Sequence, residues 1–425
     1  MASAPKSIPQ SGPLSPEANQ AAALAAFGGV LTVDIDAIIA NWRKLEKIAV
    51  PAECSAVVKA DAYGCGAEQV SRALSKAGCK TFFVATIEEA RKVRAAVPEP
   101  TIYVLGGYFQ NTGEHYAKIN CRPVIGDLNE LAEWDVFCRR TGWNGGAAVH
   151  IDTGMNRLGL TLSEAQAIIP RINAGDHGIT LVMSHLVSAE QLNSPINARQ
   201  LAAFRSIASE FTGVPAALAN SSGIFLGAPF QFDLVRPGAA LYGVNPTPEA
   251  DNPMQQVVDL KARIVQIRSI ERGDTVGYGG TWTARRPTKL AIIAVGYADG
   301  YFRAASSNDG TRGADVIVAG KRCPVAGRIS MDLIAIDITD LPPNAVRRGH
   351  MVTLLGEGIT VDELAHHFGT IGYEVLTSLG RRYARVYKGG NVEEPLTKPE
   401  PASNAGQPPS PPPIEQPSAL PPLPS

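Results

Sequence analysis

The sequence predicts an α/β chain in which a (β/α)8 barrel is followed by a mostly-β C-terminal domain, and three observations carry that expectation. Short apolar runs alternate with amphipathic stretches up to about residue 255. Beyond Pro246-Thr247-Pro248 the pattern changes to strand after strand, and in the first part reactive residues fall just after the apolar runs. Barrel strands are buried on both faces, so they read as continuous apolar runs, and barrel enzymes gather their reactive side chains at the C-terminal ends of those strands.

A lead-in strand at Leu31 to Asp34 and a helix from Ile35 to Ile48 come first. The eight runs are Ala56–Val58, Thr81–Ala85, Thr101–Leu105, Arg122–Ile125, Ala147–Ile151, Thr180–Met183, Ala216–Leu218 and Asp233–Val235. Helical patterns at Glu68–Ala77, Ile87–Ala96, Leu128–Arg140, Ser163–Ile172 and Asn197–Phe211 separate most of them. Another α/β fold would show a similar alternation. The barrel is favoured because Lys59, Arg157, His185, Ser221 and Arg236 follow the first, fifth, sixth, seventh and eighth runs, and a barrel would bring all five to one mouth.

In the second part, Val257–Ile270, Lys289–Val295, Val316–Val318, Leu333–Ile338 and Val352–Leu355 read as strands between Gly/Pro turns. Short helical signals stand at Val361–Phe368 and Glu374–Leu379. Residues 30–255 are therefore read as the barrel with its lead-in strand, and 256–390 as the mostly-β domain, whose sheet the lead-in strand is expected to join. Residues 1–29, rich in Ser, Pro and Ala, read as a flexible extension. From Asn391 the chain turns proline-rich, a composition that cannot bury a core and reads as a disordered tail.

Thirty-nine basic and forty acidic residues are interspersed, for a net charge of −1, which leaves no electrostatic footprint for nucleic acid or an anionic membrane. No run is long and apolar enough to span a bilayer, and the short apolar stretch at residues 21–27 lacks the basic lead of a secretory signal. The six cysteines show no CxxC pair and no zinc-ligand spacing, so no metal site is expected and reduced thiols in a cytoplasmic protein are.

Lys59 is the most informative residue. A lysine closing an apolar strand is poorly solvated, which lowers its pKa as Schiff-base chemistry requires, although a lone strand-end lysine more often snorkels to water. Its setting, Val57-Val58-Lys59-Ala60-Asp61-Ala62-Tyr63-Gly64-Cys65-Gly66, resembles the cofactor-lysine motif of the alanine racemases, which use pyridoxal 5'-phosphate. Cys65 stands where that family commonly has histidine. The resemblance implies that Lys59 binds the cofactor covalently and that Tyr63 reaches its phosphate.

Further motifs lie in the family's order. Asp152-Thr153-Gly154-Met155-Asn156-Arg157-Leu158-Gly159 resembles the segment whose arginine binds the substrate carboxylate, a task suited to a planar guanidinium. His150 occupies the place where many members carry an often carbamylated lysine, so another group must hold Arg157, His150 with a bridging water or an anion being the candidate. Met183-Ser184-His185-Leu186 implies that His185 lies against the cofactor ring. Asn220-Ser221-Ser222-Gly223 and Val235-Arg236-Pro237-Gly238-Ala239 resemble the phosphate and ring-nitrogen contacts. They imply a cofactor set of Asn220, Ser221, the backbone of Gly238 and Ala239, and the hydroxyls of Tyr63 and Tyr373, with Arg236 on the ring nitrogen. A permanently charged arginine there keeps that nitrogen unprotonated and favours proton exchange at Cα over transamination.

In the second domain Val276-Gly277-Tyr278-Gly279-Gly280-Thr281-Trp282 resembles the segment that supplies the second catalytic base, Tyr278. Free tyrosine has a pKa near about 10, so nearby positive charge must bias it, and His185 backed by Arg236 is the expected source. Val295–Gly300 and Arg328–Asp332 resemble segments that reach the other subunit's site. They imply that Tyr297 narrows the entrance, that the Met331 N–H holds the substrate carboxylate and that Asp332 lines the same wall. Ser330 replaces a cysteine common in relatives, Gly372-Tyr373-Glu374 carries the late tyrosine, and Arg381–Tyr387 matches the closing strand.

The resemblance spans Leu31 to Tyr387 and implies a homodimer with shared sites. It would interconvert L- and D-alanine with Lys59 and Tyr278 as two bases, supplying D-alanine for peptidoglycan or serving alanine catabolism. A broad-specificity or serine racemase of the same fold competes with this reading, although such enzymes tend to alter the Arg157 position. A barrel-type decarboxylase would need a glycine-rich phosphate loop that is absent from the sequence. A non-catalytic pyridoxal-binding protein of the barrel-only class would lack the second domain.

Overall fold

The computed structural model describes residues 22–174 and 178–390. The proline-rich tail, and the N-terminal extension up to residue 21, lie outside the described residues. The chain enters through β1 (Gly29–Asp34), and Asp34 caps α1 (Ile35–Ala49) by accepting the Ala37 N–H at 3.0 Å.

The barrel strands are β2 (Glu53–Cys54), β3 (Ala56–Val57), β4 (Thr81–Val84), β5 (Thr101–Val104), β6 (Arg122–Ile125), β7 (Ala147–His150), β8 (Ile179–Met183), β9 (Ala216–Ala217) and β10 (Leu234–Val235). Seven of them, β3 to β9, form one parallel sheet in chain order. The eighth run, β10, closes it. On one side β10 pairs in parallel with β2, and on the other the Asp233 N–H reaches Ala216 O at 3.0 Å and the Arg236 N–H reaches Ala219 O at 2.9 Å. Phe83, Tyr103, Val124, Leu181 and Met183 fill the interior, and the Tyr103 hydroxyl joins Thr180 Oγ1 at 2.9 Å while accepting from Arg122 at 3.0 Å.

Around the sheet run α2 (Ala67–Ala77), α3 (Ile87–Ala96), α4 (Gly113–Lys118), α5 (Leu128–Thr141), α6 (Leu162–Asn173) and α7 (Pro195–Ala208). After β9 and β10 the chain makes only 3-10 turns, at Gly223–Leu226, Ala228–Phe230 and Ala239–Tyr242. The lead-in helix covers that gap: Asn41 of α1 donates to Leu241 O at 3.2 Å, and Trp42 donates to Cys54 O at 3.2 Å.

The second sheet is built from β11 (Val258–Ile270), β12 (Thr288–Ile293), β13 (Asp315–Val318), β14 (Lys321–Pro324), β15 (Ile334–Asp337), β16 (Met351–Leu355) and β17 (Ala384–Lys388), together with β1. The lead-in strand lies between β11, to which it is antiparallel, and β17, to which it is parallel. Along β11 the buried residues Val258, Leu260, Ala262 and Ile264 alternate with more exposed ones, the period of a sheet with one face on a core. Two helices, α8 (Val361–Phe368) and α9 (Gly372–Ser378), return the chain to the barrel mouth. No helix among the described residues is long and apolar enough to cross a membrane.

Candidate active site at the barrel mouth

The Val58 N–H donates to Phe83 O at 2.8 Å and ends β3, and the four residues after Lys59 do something their types do not announce. Ala60, Asp61, Ala62 and Tyr63 have φ of +51°, +54°, +53° and +55°, one turn of left-handed helix, which disfavours L-residues by about 1–2 kcal/mol each. Local hydrogen bonds offset that: Ala62 N–H to Val58 O at 2.9 Å, Gly64 N–H to Ala60 O at 2.9 Å, and Ala67 N–H to the Asp61 carboxylate at 2.8 Å. As a result Lys59 and Tyr63, four residues apart, both line a cavity of about 380 Å³ with Thr370, Ile371, Tyr373 and Glu374. A Cβ at Gly64 would stand 2.5 Å from Leu376 O, so glycine there lets α9 close over the mouth.

Tyr63 stacks on Tyr242 with ring centroids 4.7 Å apart and meets Tyr373 edge-on at 6.5 Å. Burial pushes both the Tyr63 and Tyr373 hydroxyls upward, so they remain O–H donors suited to an anion. Ser221 Oγ sits beside them but is occupied differently from the expectation that left the Gly238 backbone free. It accepts the Gly238 N–H at 2.9 Å and the Ala240 N–H at 3.2 Å, leaving its own O–H as the group it can offer. Asn220 Oδ1 accepts the Gly223 N–H at 2.9 Å and so holds the turn that carries Ser221. A Cβ on Gly238 would stand 2.5 Å from Tyr63 Oη. Gly238→Ala is therefore expected to displace that hydroxyl and weaken cofactor retention by tenfold or so, the range of one lost hydrogen bond to a charged group, as read by cofactor release during dialysis.

Arg236 is buried and donates through Nη2 to Ser184 O and, at 3.2 Å, to Leu218 O, while its Nε has no partner. A buried cationic donor without an acceptor is costly, and here it marks the place of a missing acceptor atom. Lys59 is lowered from its ordinary value first by burial and then by Arg157 and Arg236, with Glu89 opposing. His185 is driven well below its usual range by burial and by Arg236 and Arg157. Of the pair expected to bias Tyr278, His185 backed by Arg236, the arginine therefore carries the charge. The imidazole is neutral, and the positive charge behind it belongs to Arg236, whose guanidinium stays protonated even with burial lowering its pKa to about 10.

His150 is likewise lowered from 6.5 to about 4, by burial and then by Arg236 and Arg157. Its folded value lies below its unfolded one, so the unfolded chain binds more protons between pH 6.5 and 4, and stability present above that window is lost as pH falls through it. His150→Gln is expected to flatten this acid limb by something on the order of a few kcal/mol, measured as urea unfolding at pH 7 and pH 5.

Arg157 is exposed at the tip of a loop that Asp152 organises. One carboxylate oxygen of Asp152 accepts the N–H groups of Gly154 and Met155 at 2.8 Å each, the other that of Asn156 at 2.9 Å. Among the described residues the Arg157 guanidinium has no hydrogen bond or ion pair, and none is made directly with His150. Gln200 of α7 ties the loop to β8: it donates to Thr153 Oγ1 at 3.2 Å and to His185 O at 2.9 Å and accepts the Val187 N–H at 2.9 Å. Only its place as a polar residue on a helix face could have pointed to it. Lys59, Arg157 and Arg236 thus converge with neutral histidines between them, a setting for an anionic ligand.

Tyr278, Tyr297, Met331 and Asp332 are not brought there. None lines the Lys59 cavity, and Tyr278, Met331 and Tyr297 are 69%, 52% and 42% exposed. They cluster on the C-terminal domain: the Tyr297 N–H donates to Ser330 O at 3.0 Å, the Ala298 N–H to Met331 O at 3.0 Å, and Arg382 bridges Asp332 at 2.9 Å and Asp299 at 3.1 Å. Tyr278 stands in a 3-10 turn, not in a strand.

The residues at the mouth fit pyridoxal phosphate. The unpaired Arg236 Nε suits a ring nitrogen, the hydroxyls beside Gly238 suit a phosphate, and the desolvated Lys59 suits the aldehyde. Residues 33–246 match the family model described as alanine racemase, N-terminal domain, and residues 257–387 that described as alanine racemase, C-terminal domain. An alanine racemase of Methylobacterium nodulans is 50% identical over 369 residues, covering 87% of this chain and 98% of that protein. A biosynthetic alanine racemase of Agrobacterium fabrum is 43% identical over 364 residues, covering 84% of this chain and 93% of that protein. Among solved structures, an alanine racemase from Bartonella henselae with covalently bound pyridoxal phosphate superposes with a TM-score of 0.80 at 40% identity, covering 85% of this chain and 99% of that one. Fold, site and relatives together define a pyridoxal-phosphate-dependent amino-acid racemase. Within that class, the chain belongs to the alanine racemase family.

Proposed function

We propose that this chain interconverts L- and D-alanine at sites shared between two copies of itself, with Lys59 and the partner subunit's Tyr278 as bases on opposite faces of the substrate. The supporting observation is the split of the site: Lys59 and its cavity lie at the barrel mouth, whereas Tyr278, Tyr297 and Met331 stand exposed elsewhere on the same chain. When bound, the cofactor supplies an electron-withdrawing ring that acidifies the substrate Cα–H.

The chain's own groups do the rest. Tyr63, Tyr373 and Ser221 would hold the phosphate, with Asn220 and the Gly238–Ala239 backbone shaping the cup, and His185 would lie neutral against the ring. Arg236 would donate Nε–H to the ring nitrogen, which must then be an unprotonated acceptor, so electron withdrawal is limited and the proton returns to Cα. Arg157 and the partner subunit's Met331 N–H would clamp the carboxylate, and the partner subunit's Tyr297 and Asp332 would narrow the approach.

From L-alanine, the partner subunit's Tyr278 phenolate takes the α-proton and becomes the phenol, while the Lys59 ammonium gives its proton to the opposite face. D-alanine runs the exchange backwards. A single base fixed on one face would return the proton to the face it left. The balanced charge and the absence of a basic stripe support a cytoplasmic enzyme without a nucleic-acid or membrane partner. The racemisation would supply D-alanine for peptidoglycan or serve alanine catabolism.

A chiral assay over L-alanine, L-serine, L-lysine and L-arginine tests the substrate. We expect alanine to exceed each of the others by about tenfold or more in kcat/KM, the scale on which a side chain enlarged beyond a methyl disturbs a fitted pocket. Comparable turnover of serine would identify a broad-specificity racemase instead.

A further inference from the structure

Glu89 is the third residue of α3 and, with Thr86, forms a capping box: the Glu89 N–H donates to Thr86 Oγ1 at 3.2 Å, and Glu89 Oε2 accepts the Thr86 N–H at 3.3 Å. Its carboxylate does more. Oε2 also accepts the Ala85 N–H at 2.7 Å, just past β4, and Oε1 accepts the Ala60 N–H at 2.7 Å, the first amide of the left-handed turn after Lys59. Both oxygens are thus engaged by short, charge-assisted bonds that fasten two neighbouring strand ends together.

The same device recurs without a lysine. Glu130, third residue of α5, accepts the Gly126 N–H past β6 at 2.9 Å and the Tyr108 N–H beyond β5 at 3.3 Å. Among the described residues Glu164, at the same helix position, accepts only from Thr161. A bridging glutamate is therefore a recurrent fastener of this barrel, and only at Glu89 does the fastened turn carry Lys59.

We propose that Glu89 is a positioning residue for Lys59: by locking the left-handed turn of residues 60–63 to the end of β4, it fixes where the Lys59 amine and the Tyr63 hydroxyl stand. The turn is intrinsically unfavourable for these residue types, and beside the bonds of Ala62, Gly64 and Ala67 that offset its cost, Glu89 restrains its first N–H and ties it to the end of β4. The Glu89 charge also faces Lys59 and opposes the lowering by Arg157 and Arg236. This rests on the reading of Lys59 as the base that serves D-alanine.

The test compares Glu89→Gln, Glu89→Asp and Glu130→Gln as holoenzymes with wild type. A glutamine must turn its N–H2 either towards the Ala60 N–H or towards the N–H groups of Ala85 and Thr86, so Glu89→Gln cannot restrain both strand ends. We expect it to lower kcat/KM by about 10–100-fold, the scale of a misplaced catalytic group, and equally in both directions because the two enantiomers have equal energy. The α-deuterium isotope effect should rise from D-alanine, where Lys59 removes the proton, and not from L-alanine. The absorbance change of the lysine-bound cofactor should also move to lower pH, since a negative charge is gone. Glu89→Asp keeps the charge one methylene short, and is expected to lose rate and show the same isotope asymmetry without the absorbance shift; it is the second variant if glutamine does not fold. Glu130→Gln should change neither readout. Wild-type rates in both Glu89 variants, or equal isotope effects in both directions matched by Glu130→Gln, would reduce Glu89 to a helix cap and overturn the proposal. A Lys59→Ala protein that still racemised would instead overturn the reading of Lys59 itself.

Discussion

Lys59→Ala is expected to abolish racemisation in both directions, by about four orders of magnitude, because it removes a base and the covalent anchor of the cofactor together. The site explains why no neighbour substitutes. Arg157 and Arg236 are permanently charged donors, His150 and His185 are held neutral and well below the usual histidine range, and no second lysine lines the cavity. Two readouts check it. A chiral assay should find no D-alanine from L-alanine, and the variant should lose its cofactor on dialysis while the wild type keeps it. A Lys59→Ala protein that retained a covalent cofactor and near-normal turnover would show that another amine carries the chemistry.

Tyr278→Phe removes one oxygen atom from an exposed side chain and is nevertheless expected to lower racemisation by about 10²–10⁴-fold, the range of a lost general base. Its signature separates it from a packing defect. With Lys59 intact, D-alanine should still exchange its α-hydrogen with deuterated solvent on the Lys59 face while little L-alanine forms. Stability should barely change, since Tyr278 is 69% exposed. Loss of both exchange and racemisation together would argue that the tyrosine supports the fold of the mouth and not the proton on the far face.

Much of this was legible in the sequence because the relevant signals are local. The apolar runs that begin at Thr81, Arg122 and Thr180 fall where the strands stand, to within a residue, and Thr86-x-x-Glu89 and Thr161-x-x-Glu164 mark helix starts. What stayed hidden depends on contacts across the chain. Ala60-Asp61-Ala62-Tyr63 contains no glycine and no asparagine, so nothing in it signals a left-handed turn; the conformation is imposed by Glu89, by Asp61 on Ala67 and by the close approach of α9 at Gly64. Strand β14, Lys-Arg-Cys-Pro, lacks the apolar alternation of a strand because it lies at the sheet edge, where charge and proline are tolerated. The lowering of His185 follows from its burial and then from two arginines, all of which exist only in the fold. The exposure of Tyr278 was not readable either, since a motif gives a residue's company and not its solvent.

The claim that one site needs two chains is tested most directly by mixing the two inactive variants. Lys59→Ala and Tyr278→Phe are dissociated together, reassociated at equal amounts and assayed for L-alanine racemisation. Half of the dimers formed at random are hybrids, and each hybrid pairs an intact Lys59 with an intact Tyr278 at one of its two sites, so activity should return to about a quarter of wild type. If mixing restores nothing while hybrid dimers are shown to form, Lys59 and Tyr278 do not meet across the two chains, and the shared site is contradicted.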